Sequence, residues 1–213
     1  MSNKISDVLL KIKAIFLSPN EPFTWASGIK SPIYCDSRII LSYPEERSQI
    51  ERSIASAINE NFPEREILAG TSTAGIAHAA YVSDILNLPM VYVRGSEKDH
   101  GRKNLIEGKI SKDQKVVVIE DLISTGSSAV NVVKNLRNVD ANVLGVISIF
   151  SYNMNISSDN FKKNYVKNVS LSTFDELLEV AVLKKIISVS DVEKLIKFRE
   201  NPHDFGWFDL NPV

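Results

Sequence analysis

Residues 116–129 read VVVIEDLISTGSSA, and the reading of the whole chain turns on this run. Val116 to Ile119 form a short apolar stretch of β-branched residues, the pattern of a central strand covered on both faces. Glu120 and Asp121 follow at its carboxyl end. In open α/β sheets, ligands bind at that end. After Leu122 and Ile123 come five small residues, Ser124, Thr125, Gly126, Ser127 and Ser128. A helix is expected from Ser127 to Leu136. Small residues let backbone N–H groups close around an anion, and a helix N-terminus adds a positive dipole. The Ser and Thr hydroxyls add further donors. Carboxylates would repel a phosphate but accept hydrogen bonds from the vicinal hydroxyls of a sugar. The implied ligand is a phosphorylated ribose. The bland alternative is a capped helix after a strand with two solvated acids, but two acids and five small residues in this order are a rarer pattern than a simple Gly-Ser turn.

Outward from this run, strands alternate with helices. Short apolar stretches at 67–69, 90–93, 143–150 and 166–171 read as strands. An Ala-rich stretch from Gly75 to Leu86 reads as a helix. Alternation over residues 66–171 predicts an α/β fold with a mostly parallel central sheet flanked by helices. Pro44, Glu45 and Glu46 open a helix in which Ile50, Ile54 and Ile58 repeat. Phe62-Pro63 closes it. Apolar spacing from Ile5 to Phe16 predicts an amphipathic helix. Residues 18–43, rich in Pro, Gly, Ser and aromatics, read as loops and short strands. Thr173-Phe-Asp-Glu176 and Ser190-Asp-Val-Glu193 are capping-box patterns that predict two C-terminal helices. We therefore expect residues 1–43 to form a small N-terminal hood, and residues 44–213 an α/β core with C-terminal helices.

Composition narrows the function classes. The 213 residues carry 25 Lys+Arg against 26 Asp+Glu, a net charge of −1. That balance argues against nucleic-acid and anionic-membrane binding, which want a basic excess. A single cysteine, Cys35, excludes an internal disulfide framework and a Cys-based zinc site. Apolar runs fall short of the ~20 residues that span a bilayer. Charges at Lys4, Asp7, Lys11 and Lys13 interrupt the N-terminus, which reads as neither signal peptide nor anchor. The expectation is a cytoplasmic protein. Gly70-Thr-Ser-Thr-Ala-Gly75 has the glycine spacing of a P-loop, but Ile76 and Ala77 stand where Lys and Ser/Thr belong, so a P-loop nucleotidase is not indicated. There is no G-x-G-x-x-G fingerprint.

Three further segments carry chemistry. The turn Gly70–Gly75 is a second strand-to-helix bend of small residues, hence a second anion cradle, or else a Ser/Thr-rich helix cap. Residues 94–103 hold Arg94, Lys98, His100, Arg102 and Lys103 against Glu97 and Asp99. A polar cationic loop of this kind suits a lid that excludes water and neutralises leaving-group charge, although a solvated charged loop is the commoner case. Lys30 lies among Ser27, Gly28, Ser31, Tyr34 and Cys35, where a cation beside aromatics suits a flat anionic ring. A surface lysine is the plain alternative. His78, in the Ala-rich helix, reads as structural, and the tail ENPHDFGWFDL with His203 shows no chemistry.

The run at 116–128 resembles the signature of type I phosphoribosyltransferases, which bind 5-phosphoribosyl 1-diphosphate (PRPP). Phe23–Arg38 (FTWASGIKSPIYCDSR), Ala69–Ala79 (AGTSTAGIAHA) and Tyr92–Gly101 (YVRGSEKDHG) are similar to segments of the branch of that family that acts on orotate. The resemblance implies transfer of the phosphoribosyl group from PRPP to orotate, giving orotidine 5′-monophosphate and pyrophosphate. It implies catalytic roles for Lys98, His100 and Asp121. It implies PRPP binding by Thr71, Ser72, Arg94, Lys98, His100 and the segment Glu120, Asp121, Leu122, Ile123, Ser124, Thr125, Gly126, Ser127 and Ser128. It implies orotate contacts from Lys30, Tyr34, Cys35 and Ser124. It also implies a non-proline cis peptide in the turn 70–75. Magnesium is the implied cofactor, held mainly by PRPP and water, with no direct protein ligand expected. A homodimer is implied, with the 94–103 loop reaching the neighbouring subunit. Three positions differ from the pattern: Gly95 stands where many relatives have a basic residue, Arg102 and Lys103 stand where many have glycines, and Ser151-Tyr152 stand where some carry an orotate-binding arginine. The alternatives are a purine or uracil phosphoribosyltransferase, or a PRPP-sensing regulator.

Overall fold

The structure, a computed structural model, describes residues 2–24, 28–95 and 105–208. Ser27, Glu97, Lys98, Asp99, His100, Gly101, Arg102 and Lys103 lie outside the described residues. In chain order the elements begin with α1 (Ser2–Lys11), β1 (Ile15–Leu17), β2 (Phe23–Thr24), β3 (Lys30–Ser31), β4 (Ile33–Cys35) and a 3-10 turn (Ser37–Ser42). They continue with α2 (Pro44–Asn61), β5 (Ile67–Thr71), α3 (Ala74–Leu86), β6 (Met90–Val93), β7 (Ile106–Glu107), β8 (Lys115–Ile123) and α4 (Ser127–Arg137). The last are β9 (Asn142–Ser151), α5 (Asn155–Lys163), β10 (Lys167–Thr173), α6 (Phe174–Leu183), α7 (Val189–Glu200) and a 3-10 turn (Phe205–Trp207).

By packing, the chain divides into two units. One is residues 44–171, and the other combines 1–43 with 172–213. The C-terminal helices group with the N-terminal segment, where α6 packs along α1.

Within residues 44–171, β8 lies centrally in a sheet of strand order β10-β9-β8-β5-β6-β7. The pairs β5–β6, β5–β8 and β8–β9 are parallel, and β7 adds an antiparallel edge against β6. Val116, Val117, Val118 and Ile119 have no exposed surface, as a strand covered on both faces requires. Pro44 opens α2 with Glu45 and Glu46 in its first turn, and Ile50, Ile54 and Ile58 are buried along one face. The strand β8 runs further than its apolar residues, through Glu120 and Asp121 to Ile123. Helix α5, which links β9 to β10, has no counterpart in the sequence reading: its apolar residues Ile156 and Phe161 are five apart, off the helical period. Short strand β7, just beyond the 94–103 segment, has no counterpart in the sequence reading either.

In the other unit, α1 ends at Lys11 rather than running to Phe16. Lys13 adopts φ 58, and the amides of Lys13 and Ala14 bond back to Leu10 and Leu9, a helix stop that leaves 15–17 for β1. Thr173 and Glu176 form the expected capping box of α6. The second box is Ser188 with Asp191, not Ser190 with Glu193, so α7 starts earlier than its sequence signal. Among the described residues, no helix is long and apolar enough to cross a membrane.

Candidate active site

The chain leaves β5 through α3 to β6 on one side, and leaves β8 through α4 to β9 on the other. The direction of progression therefore reverses between β5 and β8. A crevice opens at such a switch point, outside the carboxyl ends of the two strands. The two small-residue bends sit there, Thr71–Ala74 after β5 and Ser124–Gly126 after β8.

The bend after β8 is shaped by Gly126, which takes φ +75 and caps α4. A Cβ at this position would stand 3.0 Å from the Phe161 ring. No side chain caps α4 from Gly126, and the Ser127 N–H donates to Thr125 Oγ1 at 3.4 Å. Thr125 Oγ1 donates to Ser127 Oγ at 3.0 Å, and Asn160 Nδ2 holds Thr125 O at 2.9 Å. Asn160 and Phe161, both from α5, thus fix the bend from below. Sequence reading missed them because α5 itself carries so weak a period. Ser124, Ser127 and Ser128 are exposed, whereas Ile123 packs in the apolar core and can face a ligand only with its backbone.

Glu120 is 5% exposed. The backbone N–H of Asp121 donates to its Oε1 at 3.1 Å, and the Ser128 hydroxyl also bonds to its carboxyl. Glu120 therefore faces the bend, with the Asp121 carboxyl in contact with it. Burial first, then the hydrogen bond with the Asp121 carboxyl and that group's charge, push Glu120 up to about 9. Two carboxyls in contact do not both ionise readily, and the more buried one keeps its proton at neutral pH.

The bend after β5 contains a cis Ser72–Thr73 peptide. Gly75 is needed for packing: a Cβ there would meet the Ile119 carbonyl oxygen at 2.6 Å. This close approach sets the start of α3 against β8 beside Glu120. Thr73 makes no side-chain cap to α3, and the buried Thr71 Oγ1 has no hydrogen-bond partner among the described residues. Arg94 follows β6. Its backbone N–H donates to Leu105 O at 2.8 Å, and its guanidinium lies 3.6 Å from Glu107 Oε1. Glu107 was not foreseen as its partner.

His78, on α3, is fully buried with Nδ1 2.6 Å from Glu51 Oε1 on α2. Burial raises the Glu51 carboxyl above its ordinary value. His78 Nε2 and Glu51 Oε2 have no partner among the described residues. In the N-terminal unit, Lys30 Nζ donates to Thr24 Oγ1 at 2.7 Å. Tyr34 is exposed, stacks on Phe23 at 5.7 Å and lies opposite Phe16 in the β1–β4 ladder, and Cys35 is half-buried. Among the described residues no three of His, Cys, Asp and Glu gather in a metal-binding group.

The phosphoribosyl transferase domain family matches residues 40–182. The chain belongs to the phosphoribosyltransferase family, with the strand-acids-bend segment at its centre. Within that class, several near full-length relatives bear the name orotate phosphoribosyltransferase. An orotate phosphoribosyltransferase from Listeria innocua serovar 6a is 50% identical over 206 residues, 97% of this chain and 99% of that protein. The crystal structure of orotate phosphoribosyltransferase from Aeropyrum pernix superposes with a TM-score of 0.72 at 26% identity, over 82% of this chain and 96% of that one. Leishmania donovani UMP synthase shares the fold at a TM-score of 0.77 and 23% identity, over 92% of this chain. The chain spans 42% of the length of that protein.

Proposed function

We propose that the chain is an orotate phosphoribosyltransferase. It transfers the 5-phosphoribosyl group of PRPP to orotate, giving orotidine 5′-monophosphate and pyrophosphate. The observation that carries this reading is Glu120 turned toward the bend 124–128 through its bond with Ser128, with the Asp121 carboxyl against it. A sugar phosphate fits that arrangement, with its diol on the acids and its phosphate on the bend. The near full-length likeness to enzymes named for orotate supports the choice of base.

The reaction is displacement at the anomeric carbon of ribose, with charge building on the sugar. Ser124 to Ser128 hold the 5′-phosphate through amides and hydroxyls. Asp121 accepts from the ribose hydroxyls and favours positive charge on the ring. Glu120, holding its one proton, can give it either to the Asp121 carboxylate or to a ribose hydroxyl. Thr71, Ser72 and Arg94 take the pyrophosphate, and Arg94 exchanges Glu107 for it. Lys98 and His100 come with the 95–104 loop to stabilise the leaving group, either one able to supply a proton. The Glu120–Asp121 pair offers oxygen donors, the type that suits magnesium. When bound, that ion would be held mainly by PRPP and water and would supply charge compensation for the diphosphate. The protein is read as a cytoplasmic homodimer whose loop serves the partner's site.

The test is direct. Purified protein with PRPP, Mg²⁺ and orotate should consume orotate, followed by its absorbance, and activity should vanish with excess EDTA and return with Mg²⁺. Turnover of a purine or of uracil but not of orotate would reassign the base. PRPP binding without turnover of any base would make the chain a sensor.

A further inference from the structure

Helices α6 and α7 form an antiparallel hairpin with an open seam. At the far end from the turn, Arg199 Nη1 meets Asp175 Oδ1 at 2.6 Å, and the guanidinium sits 5.3 Å from the centre of the Phe174 ring. At the turn, α6 stops on Lys185, which takes φ 57, and the Lys185 and Ile186 amides bond back to Val182 O and Ala181 O at 2.9 Å. Ile187 is buried in the turn, and Ser188 then caps α7. One apolar side of the hairpin is packed away: Leu177, Ala181, Leu195 and Phe198 have no exposed surface. The other is not. Leu178, Val182 and Leu183 of α6 and Val189, Val192 and Ile196 of α7 line a groove of about 830 Å³ between the helices. Leu183 and Val189 are 78% and 76% exposed. Single apolar residues on a surface are ordinary, but a contiguous aliphatic seam of this kind marks an interaction site.

Charge selects the occupant. The turn end is basic. Lys184 pairs there with Asp7, and the exposed Lys185 has no ion pair among the described residues. Toward the open end the rim is acidic. Glu193 already pairs with Lys197 at 2.9 Å, but Glu179 and Glu200 are exposed and have no ion pair among the described residues. A uniformly basic partner helix would suit the open end and be repelled by the turn, and an acidic one would do the reverse. A second copy of the same hairpin, turned end for end by a two-fold axis, suits both ends. Each basic turn then meets the other copy's acidic rim, and the aliphatic rows meet between them. The helices are 10 and 12 residues long, about three turns each, which is enough for four of them to pack as a bundle. We propose that the α6–α7 groove is an interface between two copies of this chain, packed antiparallel, with Lys185 of each copy against Glu179 and Glu200 of the other. The proposal does not depend on which base the enzyme uses. It adds a contact to the loop-sharing one, which involves residues 94–103, and where both form the particles are larger than a dimer.

Sedimentation velocity of the purified full chain at micromolar concentration tests it. Leu183→Glu and Val189→Glu place charge in the seam and should each lower the particle mass at least twofold. Both side chains are exposed in the single chain, so far-UV circular dichroism should show the helix content kept. Lys185→Glu should also lower the mass, and so should the double change Glu179→Lys, Glu200→Lys, because like charges then face each other across the contact. Mixing the Lys185→Glu chain with the Glu179→Lys, Glu200→Lys chain in equal amounts should restore the wild-type mass, since every altered charge again faces its opposite. Raised salt should weaken that recovery. Mixing cannot repair a misfolded chain, so the recovery reads the contact itself. A wild-type mass that Leu183→Glu leaves unchanged would overturn the proposal and leave the groove to a chain of different sequence. No recovery on mixing the two charge variants would overturn the end-for-end arrangement.

Discussion

Glu120 joins burial to chemistry most directly. Its carboxyl is pushed up to about 9 from an ordinary 4.5. Across that window the unfolded chain has released a proton that the folded chain still holds. Stability therefore falls as pH rises from about 4.5 to about 9, and the loss levels off above. Glu120→Gln copies the protonated form and does not titrate. Its urea midpoint should fall less between about pH 5 and about 9 than the wild-type midpoint does. Parallel slopes would show that Glu120 ionises normally. The buried His78–Glu51 pair makes a second residue-scale case. His78→Leu strands the Glu51 carboxyl and should cost about 2–3 kcal/mol in urea unfolding. The double change His78→Leu, Glu51→Leu should recover most of that loss, because it removes both polar groups together. A double variant as weak as the single one would mean that the site's cost lies in packing volume.

Two bends, rather than two side chains, make the crevice. Each follows a parallel strand and leads into a helix without a side-chain cap from its N-cap residue. The bend after β8 depends on Gly126, where φ is +75 and the Phe161 ring stands close to the absent Cβ. Gly126→Ala should cost about 1–3 kcal/mol for the left-handed backbone alone. It should also weaken PRPP binding, because the ring from α5 and the bend cannot both keep their places. Calorimetry with PRPP measures the second effect, and wild-type affinity in Gly126→Ala would remove the bend from phosphate recognition. The edge hairpin β6–β7 acts at the same scale. Its ladder and the Arg94–Leu105 hydrogen bond hold residues 94 and 105 together at the edge of the sheet.

At the scale of the whole molecule, the proposed dimer makes each site a joint product. Lys98→Ala and Asp121→Asn should each be nearly inactive alone. If the loop of one subunit serves the other's acids, mixing the two variants and letting subunits exchange should restore about a quarter of wild-type activity: half of the dimers are hybrids, and each hybrid has one intact site of two. Absence of recovery after demonstrated exchange would mean that each subunit completes its own site.

Much of this was legible locally. Val116 to Ser128 announce a buried strand, an acid pair and a bend through composition and order alone, and Thr173–Glu176 announces a helix start that the structure keeps. Local signals failed where they were ambiguous or absent. Ser188-Val-Ser-Asp191 and Ser190-Asp-Val-Glu193 both satisfy the same four-residue rule, and α7 uses the first. Helix α5 has too few apolar residues in register to be seen at all. By itself the sequence determined the central α/β pattern and the chemical types gathered along β8, because periodicity and turn composition act between near neighbours. Only the tertiary structure decided that Glu120 keeps its proton, that Arg94 leans on Glu107, and that Leu178 and Ile196 line one groove. Those outcomes depend on burial and on the meeting of residues far apart in the chain, and no local pattern encodes either.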